Sequence, residues 1–412
     1  MKQKKILCWF DYVARTGFAT VSKNIVNEIK KHYGNEFILE IVAINYFGED
    51  FMQDEFTLVT SAKLNDGKQD DFGRNYFLKR LHDIDYDGVF VCQDLGVVVP
   101  IIEVMQFIKN EKREKNKKQF KSIFYFPVDC KLLPQITIDI EFFDTLVTYT
   151  EYARQEVYRL RPELKGSVRV INHGNNSKDF YPLPEQDRIV FRKEYFGENA
   201  EKFIITNVNR NQPRKDIPNT IFGYVEARKN WPSNLPEPFL YIHCHPNDPM
   251  GWDLRAILWQ FEELQEDVHY KLLPKKYEQS MAGVDILNAV YNASDVYLTT
   301  TLGEGWGLTF SEAAACKVPV IAPYTTSFME MSGYGKNAYM LETIYPCCQF
   351  NDNVVREQTD IYEISDMLIQ VAKDKYSKAK DLTDKIERNY EWVRKLEWNQ
   401  VCKSWIEHFK IF

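Results

Sequence analysis

Short apolar runs alternate with amphipathic stretches along most of the chain. The runs Lys5–Phe10, Leu39–Ile44, Gly88–Cys92, Ser122–Phe126, Thr145–Thr148 and Val168–Ile171 have the length of buried strands. Between several of them lie segments with helical spacing, Ala19–His32 and Val98–Lys109. A strand-helix-strand rhythm of this kind predicts parallel sheets joined by crossover helices. A second series follows at Phe203–Val208, Phe239–Cys244, Val268–Leu272, Val296–Thr299 and Val318–Ala322, with helices expected through Pro218–Lys229, Val284–Ala293, Thr309–Cys316 and Ile361–Ala372. Pro182 and Pro184 interrupt both patterns in Phe180–Asp187, so the linker is placed there. The first domain is expected over residues 1–184 and the second from 185.

Composition agrees with two ordered domains. The chain has 412 residues, 44% hydrophobic and 14% aromatic, which excludes a disordered polymer and exceeds one ordinary core. A net charge of -7 gives no general reason to expect nucleic acid. The eight cysteines are scattered, apart from the pair Cys347–Cys348, and fit reduced thiols better than a disulfide framework or a zinc site. The apolar start Ile6–Phe10 is too short for a signal peptide, and no stretch has the roughly 18 apolar residues of a membrane span. A soluble, cytoplasmic protein is expected.

The most informative segment is Gly303-Glu304-Gly305-Trp306-Gly307-Leu308-Thr309-Phe310-Ser311-Glu312, which follows an expected strand and opens a helix. Its glycines allow a tight turn and close approach to a ligand. Free amides at the start of the helix suit a phosphate. Glu304 and Glu312 then offer acceptor oxygens to sugar hydroxyls. Taken alone, a Gly-rich turn with a glutamate is as often a helix-dipole device as a site.

Glu304 and Glu312, seven residues apart, resemble the E-x7-E signature of retaining GT-B glycosyltransferases, family 4 in particular. The resemblance extends to Asn209-Arg210-Asn211-Gln212-Pro213-Arg214-Lys215, to Asn172-His173-Gly174-Asn175, to Arg15-Thr16-Gly17-Phe18-Ala19, and to the ending Trp398–Phe409. It is nearest to the glycosyltransferases of large viruses and phages. It implies an α/β GT-B fold: two Rossmann-like domains facing a central cleft. The first would be an acceptor domain (1–184) and the second a nucleotide-sugar donor domain (185–390), with a C-terminal helix (391–412) crossing back to the first.

The resemblance also implies roles. Arg210 and Lys215 would neutralise the departing diphosphate, Glu304 would contact the transferred sugar, and Asp129 would face it. Glu312 would bind the ribose, and Gly17, Gly305, Trp306, Gly307, Leu308 and Thr309 would complete the donor site. No cofactor and no catalytic metal are implied, because protein cations serve the diphosphate. Independently of any family, fixed cations and a helix N-terminus stabilise a nucleoside diphosphate as it leaves. Two departures stand out: Cys316-Lys317 where a glycine often precedes valine-proline, and Thr325-Thr326-Ser327 where a glycine pair is common, with Glu330 after it.

Other constellations carry less. His243-Cys244-His245 lacks a third metal ligand and is read as a strand-end pair. The lysines of Lys109–Lys121 should lie at the end of the sheet opposite a ligand, as a solvated helix end. Acceptor contacts are expected between Gly17 and the loops Asn45–Gly48, Gln93–Gly96 and Pro127–Lys131. These have no dense basic stripe, so a saccharide, lipid-linked or small hydroxylated acceptor is favoured over hydroxymethylated DNA. An inactive nucleotide-sugar binding protein and a nucleotide-sugar epimerase are the rival readings.

Overall fold

The computed structural model describes residues 3–63, 70–278, 283–349 and 353–412. Contacts divide the chain into two units. The first holds Met1–Val128, Leu132–Gly174 and Trp398–Phe412, and the second holds Asp129–Lys131 and Asn175–Glu397.

The first unit is built on eight strands: β1 (Lys4–Asp11), β2 (Phe37–Ile44), β3 (Phe51–Asp54), β4 (Thr57–Ser61), β5 (Gly88–Cys92), β6 (Lys121–Phe126), β7 (Thr145–Thr148) and β8 (Val168–Val170). Their order is β3-β4-β2-β1-β5-β6-β7-β8. Every pairing is parallel except that of the edge strand β3. Alternation along β1 feeds both faces. Leu7 and Trp9 join the core that also holds Phe77, Val98 and Ile102. Phe10 turns to Phe90, which packs on Trp405 and Phe409 of the C-terminal helix Trp398–Phe409. That helix lies on the helix Gly17–Tyr33, and the Tyr33 hydroxyl donates to the Ile406 carbonyl at 2.7 Å.

The second unit repeats the plan. Its strands β9 (Phe203–Val208), β10 (Pro238–His243), β11 (Tyr270–Leu272), β12 (Val296–Leu298), β13 (Val320–Pro323) and β14 (Tyr339–Leu341) are all parallel, in the order β11-β10-β9-β12-β13-β14. This is the doubly wound arrangement. The strand order reverses between β9 and β12, and a crevice opens at their carboxyl ends. In the first unit the equivalent reversal lies between β1 and β5.

The α/β GT-B reading, with its C-terminal helix on the first Rossmann-like unit, is borne out. The differences are local. β3 is exposed on all four residues and β14 is only three long, so neither leaves an apolar signature. A hairpin of β15 (Thr343–Cys348) and β16 (Val355–Thr359) also escapes the pattern. The helices Arg74–Asp83, Glu151–Leu160, Glu185–Phe196 and Lys380–Arg394 are too charged to stand out. β11 starts at Tyr270 because Asp267, at φ 62°, turns the backbone just before it. Within Phe180–Asp187, the Tyr181 and Leu183 amides donate to Asn288 and Asn292, and a helix begins at Glu185.

The basic run is not simply solvated. Lys112 is buried and donates to the Ile84 carbonyl and to Asp85, and Lys109 and Lys121 pair with Asp144. Lys118 pairs with Asp87. Asp87 and Asp144 immediately precede β5 and β7, so these lysines do sit at the amino ends of the strands.

Candidate functional site

The loop after β9 turns through Pro213–Lys215 into the helix Ile217–Lys229, and Asp216 takes the left-handed conformation at φ 47° to join them. The loop after β12 runs from Thr299 to Gly307 and opens the helix Leu308–Ala315. These two loops flank the point where the strand order reverses, so parallel-sheet topology alone brings their side chains together.

Lys215 donates to Glu304 Oε1, and both groups are buried. Arg214 Nη1 lies 3.2 Å from the same carboxylate and also donates to the Gly303 carbonyl. The Thr301 hydroxyl adds a 3.2 Å hydrogen bond to Glu304 Oε1. Burial by itself would raise the Glu304 carboxyl, but the Lys215 and Arg214 charges outweigh it and hold it at about 2. Glu304 is therefore a fixed anion. Burial also pulls the Lys215 ammonium down, against the pull of Glu304.

Asp129, grouped with this unit, accepts from Arg214 Nε at 3.0 Å, and its backbone carbonyl accepts from Arg356 Nη1 at 3.0 Å. Arg356 comes from β16, so the hairpin contributes a cation to the cluster. Its neighbour Gln358 donates to Asp216 at 2.6 Å. Burial raises Asp216 to about 6, against the lowering effect of that bond.

Gly303 and Gly307 are required where they stand. A Cβ on Gly303 would run into the Asp129 carbonyl oxygen, and one on Gly307 into the Phe328 ring. Gly307 also holds φ 111°, a conformation that favours glycine. It occupies the N-cap of Leu308–Ala315 and brings no side-chain cap; its carbonyl accepts from the Phe310 amide at 3.0 Å, which leaves the Leu308 and Thr309 amides to other acceptors. Gly305 is buried in the same loop. Trp306 stacks on Trp392 with ring centroids 6.1 Å apart, and Thr309 shares a 2.7 Å hydrogen bond with the Tyr297 hydroxyl. Glu312, partly buried one turn further on, accepts from the Tyr291 hydroxyl at 2.9 Å. Burial pushes its carboxyl up to about 7, against that hydrogen bond.

The fold thus brings Lys215, Glu304 and Asp129 into one cluster, with Gly305–Thr309 and Glu312 following on the same loop and helix. Arg210 stands apart from that charge cluster: it is exposed and pairs with Asp248 at 3.0 Å. Lys215 is largely withdrawn from solvent, its side chain 14% exposed. Gly17 belongs to the first unit and begins the helix Gly17–Tyr33, whose N-cap Thr16 accepts from the Ala19 amide. Arg214, Arg356 and Thr301 were given no role in the sequence reading, and Thr326 stood there only as a departure. Arg214 was visible beside Lys215, but Arg356 had no local signal. His243 is bonded to the Tyr241 hydroxyl and lowered to about 4 by burial, and His245 accepts from the Asn247 amide. Among the described residues no group of three or more His, Cys, Asp or Glu is placed to hold a metal, and no helix is long and apolar enough to cross a membrane.

Known proteins resemble this chain. Residues 262–354, which contain the Gly-rich loop and both glutamates, match the family model "Glycosyl transferases group 1". The trehalose synthase of Pyrococcus horikoshii is 30% identical over 195 residues, covering 44% of this chain and 43% of that protein. The alpha-monoglucosyldiacylglycerol synthase of Acholeplasma laidlawii is 25% identical over 181 residues, 43% and 41% of the two chains. The chain thus spans less than half the length of these two relatives. Among solved structures, sucrose-phosphate synthase from Thermosynechococcus elongatus superposes with a TM-score of 0.71 at 13% identity, over 99% of this chain and 98% of that one. Alr3699/HepE from Anabaena superposes with a TM-score of 0.66 at 13% identity over the whole of both chains. These likenesses show the GT-B fold for the chain and, over residues 262–354, a similarity to the group 1 glycosyl transferases.

Proposed function

We propose that the protein is a retaining glycosyltransferase that moves a sugar from a nucleoside-diphosphate sugar to a hydroxyl acceptor. The observation that carries this reading is the buried Lys215–Glu304 pair beside the uncapped start of Leu308–Ala315, with Glu312 one turn along. When the glycosidic bond of the donor breaks, the diphosphate gains negative charge. Lys215 and the amides of Gly307 and Leu308 stabilise that charge and, being fixed beforehand, cost little reorganisation, while the exposed Arg210 adds its charge from outside the cluster. Glu304 contacts the transferred sugar and Asp129 faces it, both already oriented by Arg214. Glu312 receives the ribose hydroxyls, and Gly305, Trp306 and Thr309 shape the wall around them. Gly17 lets the loop after β1 approach the diphosphate. Protein cations do the work a metal would do, so the reaction is metal-independent. The setting is cytoplasmic.

Support also comes from relatives. HepE has been solved with UDP-glucose, and a trehalose-6-phosphate protein of E. coli with UDP-2-fluoro glucose. A nucleotide sugar is the donor class these share, and the acceptor of the present protein is a saccharide, lipid-linked or small hydroxylated molecule. The test combines a thermal-shift screen of UDP, GDP and ADP with transfer of labelled sugar to oligosaccharides, lipid-linked sugars and hydroxymethylated DNA. One nucleoside diphosphate should raise the Tm, and its sugar should be transferred to a non-nucleic acceptor. Binding without transfer to any acceptor would leave a nucleotide-sugar binding protein. Salt-sensitive labelling of the DNA alone would make it a DNA glycosyltransferase.

A further inference from the structure

The turn Tyr324–Ser327 holds threonine where the backbone would favour glycine, and this has a visible physical cost. Thr326 holds φ 45°, in the left-handed region, and is buried. A β-branched residue is strained there, and such strain persists only where surrounding structure enforces it. What Thr326 gains is specific. Its Oγ1 accepts the Glu304 amide at 2.9 Å in a buried hydrogen bond. The next residue, Ser327, donates its hydroxyl to the Trp306 carbonyl. Phe328 then closes over Gly307 and stacks on Phe310 at 5.3 Å. Three consecutive side chains therefore grip the Gly-rich loop at Glu304, Trp306 and Gly307.

We propose that Thr326 is a positioning residue. Its strained backbone aims Oγ1 at the Glu304 amide and fixes the height of the Glu304 carboxylate over Lys215 and the donor sugar. The loop needs such a device because its glycines supply no side chains of their own to hold it. A glycine at 326 would relax the backbone but release the Glu304 amide. The catalytic part of this inference rests on Glu304 contacting the transferred sugar, as proposed above. The structural part does not.

The test compares Thr326→Ser, Thr326→Ala and Thr326→Gly in the full chain. Three readouts are used: thermal unfolding, hydrogen exchange of peptides spanning Glu304, and turnover of whichever of UDP-, GDP- and ADP-glucose the parent protein uses fastest. Thr326→Ser keeps the hydroxyl and should match the parent in exchange and within about twofold in kcat. Thr326→Gly should unfold at an equal or higher temperature, because the strain is gone. It should nevertheless exchange the Glu304 amide on the order of fivefold faster, the worth of one hydrogen bond. Its kcat should fall about tenfold with KM for the nucleotide sugar little changed, the mark of an interaction made in the transition state. Thr326→Ala should lose the bond and keep the strain, and so be worst in stability. A residue that merely supports the fold would lose Tm and kcat together in Thr326→Gly, and that result overturns the inference. So does Glu304 exchange that is unchanged in Thr326→Ala and Thr326→Gly. If exchange and Tm follow the expected pattern while kcat does not, the error lies in the role given to Glu304. The hold of Thr326 on the loop then stands, and its catalytic consequence falls.

Discussion

The two units share one winding order, yet the points where their strands reverse are furnished differently. At the end of β1, Asp11 is buried and accepts from Thr16 at 3.0 Å and from Asn45 at 2.9 Å, the latter in the left-handed conformation at φ 59°. Burial raises its carboxyl, and the two hydrogen bonds work against that rise. Beside it, after β5, Gln93 accepts from the Asp94 amide. These are amide and hydroxyl contacts. At the end of β9 and β12 the same position holds Lys215, Arg214, Glu304 and Asp129 in ion pairs. The difference teaches that the fold sets where a crevice opens, while the loop residues set what it can receive. A crevice of paired charges suits a diphosphate, and one of neutral donors and a held carboxylate suits hydroxyls.

The strongest way to break the comparison is Lys215→Ala. It should cut turnover on the order of a hundredfold by removing leaving-group stabilisation. Because Glu304 would keep a buried charge without its nearest partner, it should also cost about 3 kcal/mol in denaturant unfolding. Undiminished turnover would detach the second unit's charges from the chemistry.

Glu312 sharpens the comparison through pH. Its folded carboxyl, raised to about 7 from 4.5, binds its proton more tightly than in the unfolded chain. It therefore favours folding below about pH 4.5, and that advantage drains away as pH rises through 7. Glu312→Gln should be more stable than the parent at pH 8 relative to pH 5, measured by urea unfolding at both. Glu304 has the opposite sign: its lowered carboxyl supports folding above about pH 4.5, and that support is lost as pH falls toward 2.

In the first unit, Asp11→Ala should cost about 1–3 kcal/mol by leaving the Thr16 and Asn45 groups unsatisfied. It should not change the Tm shift produced by a nucleoside diphosphate. A lost shift would mean that the first unit holds the donor through more than the approach of Gly17. Arg210→Ala should change stability by less than about 1 kcal/mol, since its pair with Asp248 is exposed. Turnover should fall only about tenfold, distinguishing it from Lys215. The smallest expected effect is that of excess chelator, which should leave initial rates unchanged. Activity lost with chelator and restored by magnesium or manganese would move His243 and His245 from bystanders to ligands.

Local features were legible in the sequence and long-range ones were not. The Gly-rich loop announces itself because its glycines and both glutamates lie within ten residues of one another, and β9, β5 and β7 are apolar runs copied almost residue for residue into strands. The burial of Lys215 is not legible, because it depends on a carboxylate 89 positions away. Arg356 sits in a largely exposed hairpin whose residues follow no apolar alternation, so nothing near it marks it for Asp129. Thr326 was visible as a departure. Its meaning required the backbone angle and the Glu304 amide, neither of which a string of residue types contains.

The C-terminal helix has a consequence for how the molecule is made. A Cβ on Gly88 would collide with Phe412, and one on Gly174 with Trp398, so the first unit is fitted closely around rings that are translated after the second unit. The second unit, apart from Asp129–Lys131, is one uninterrupted stretch, Asn175–Glu397. On the ribosome the usual order, N-terminal domain first, is therefore inverted. The second unit has all its residues while the first still waits with Phe90 uncovered, and a pause in elongation near residue 397 would leave that apolar face to chaperones.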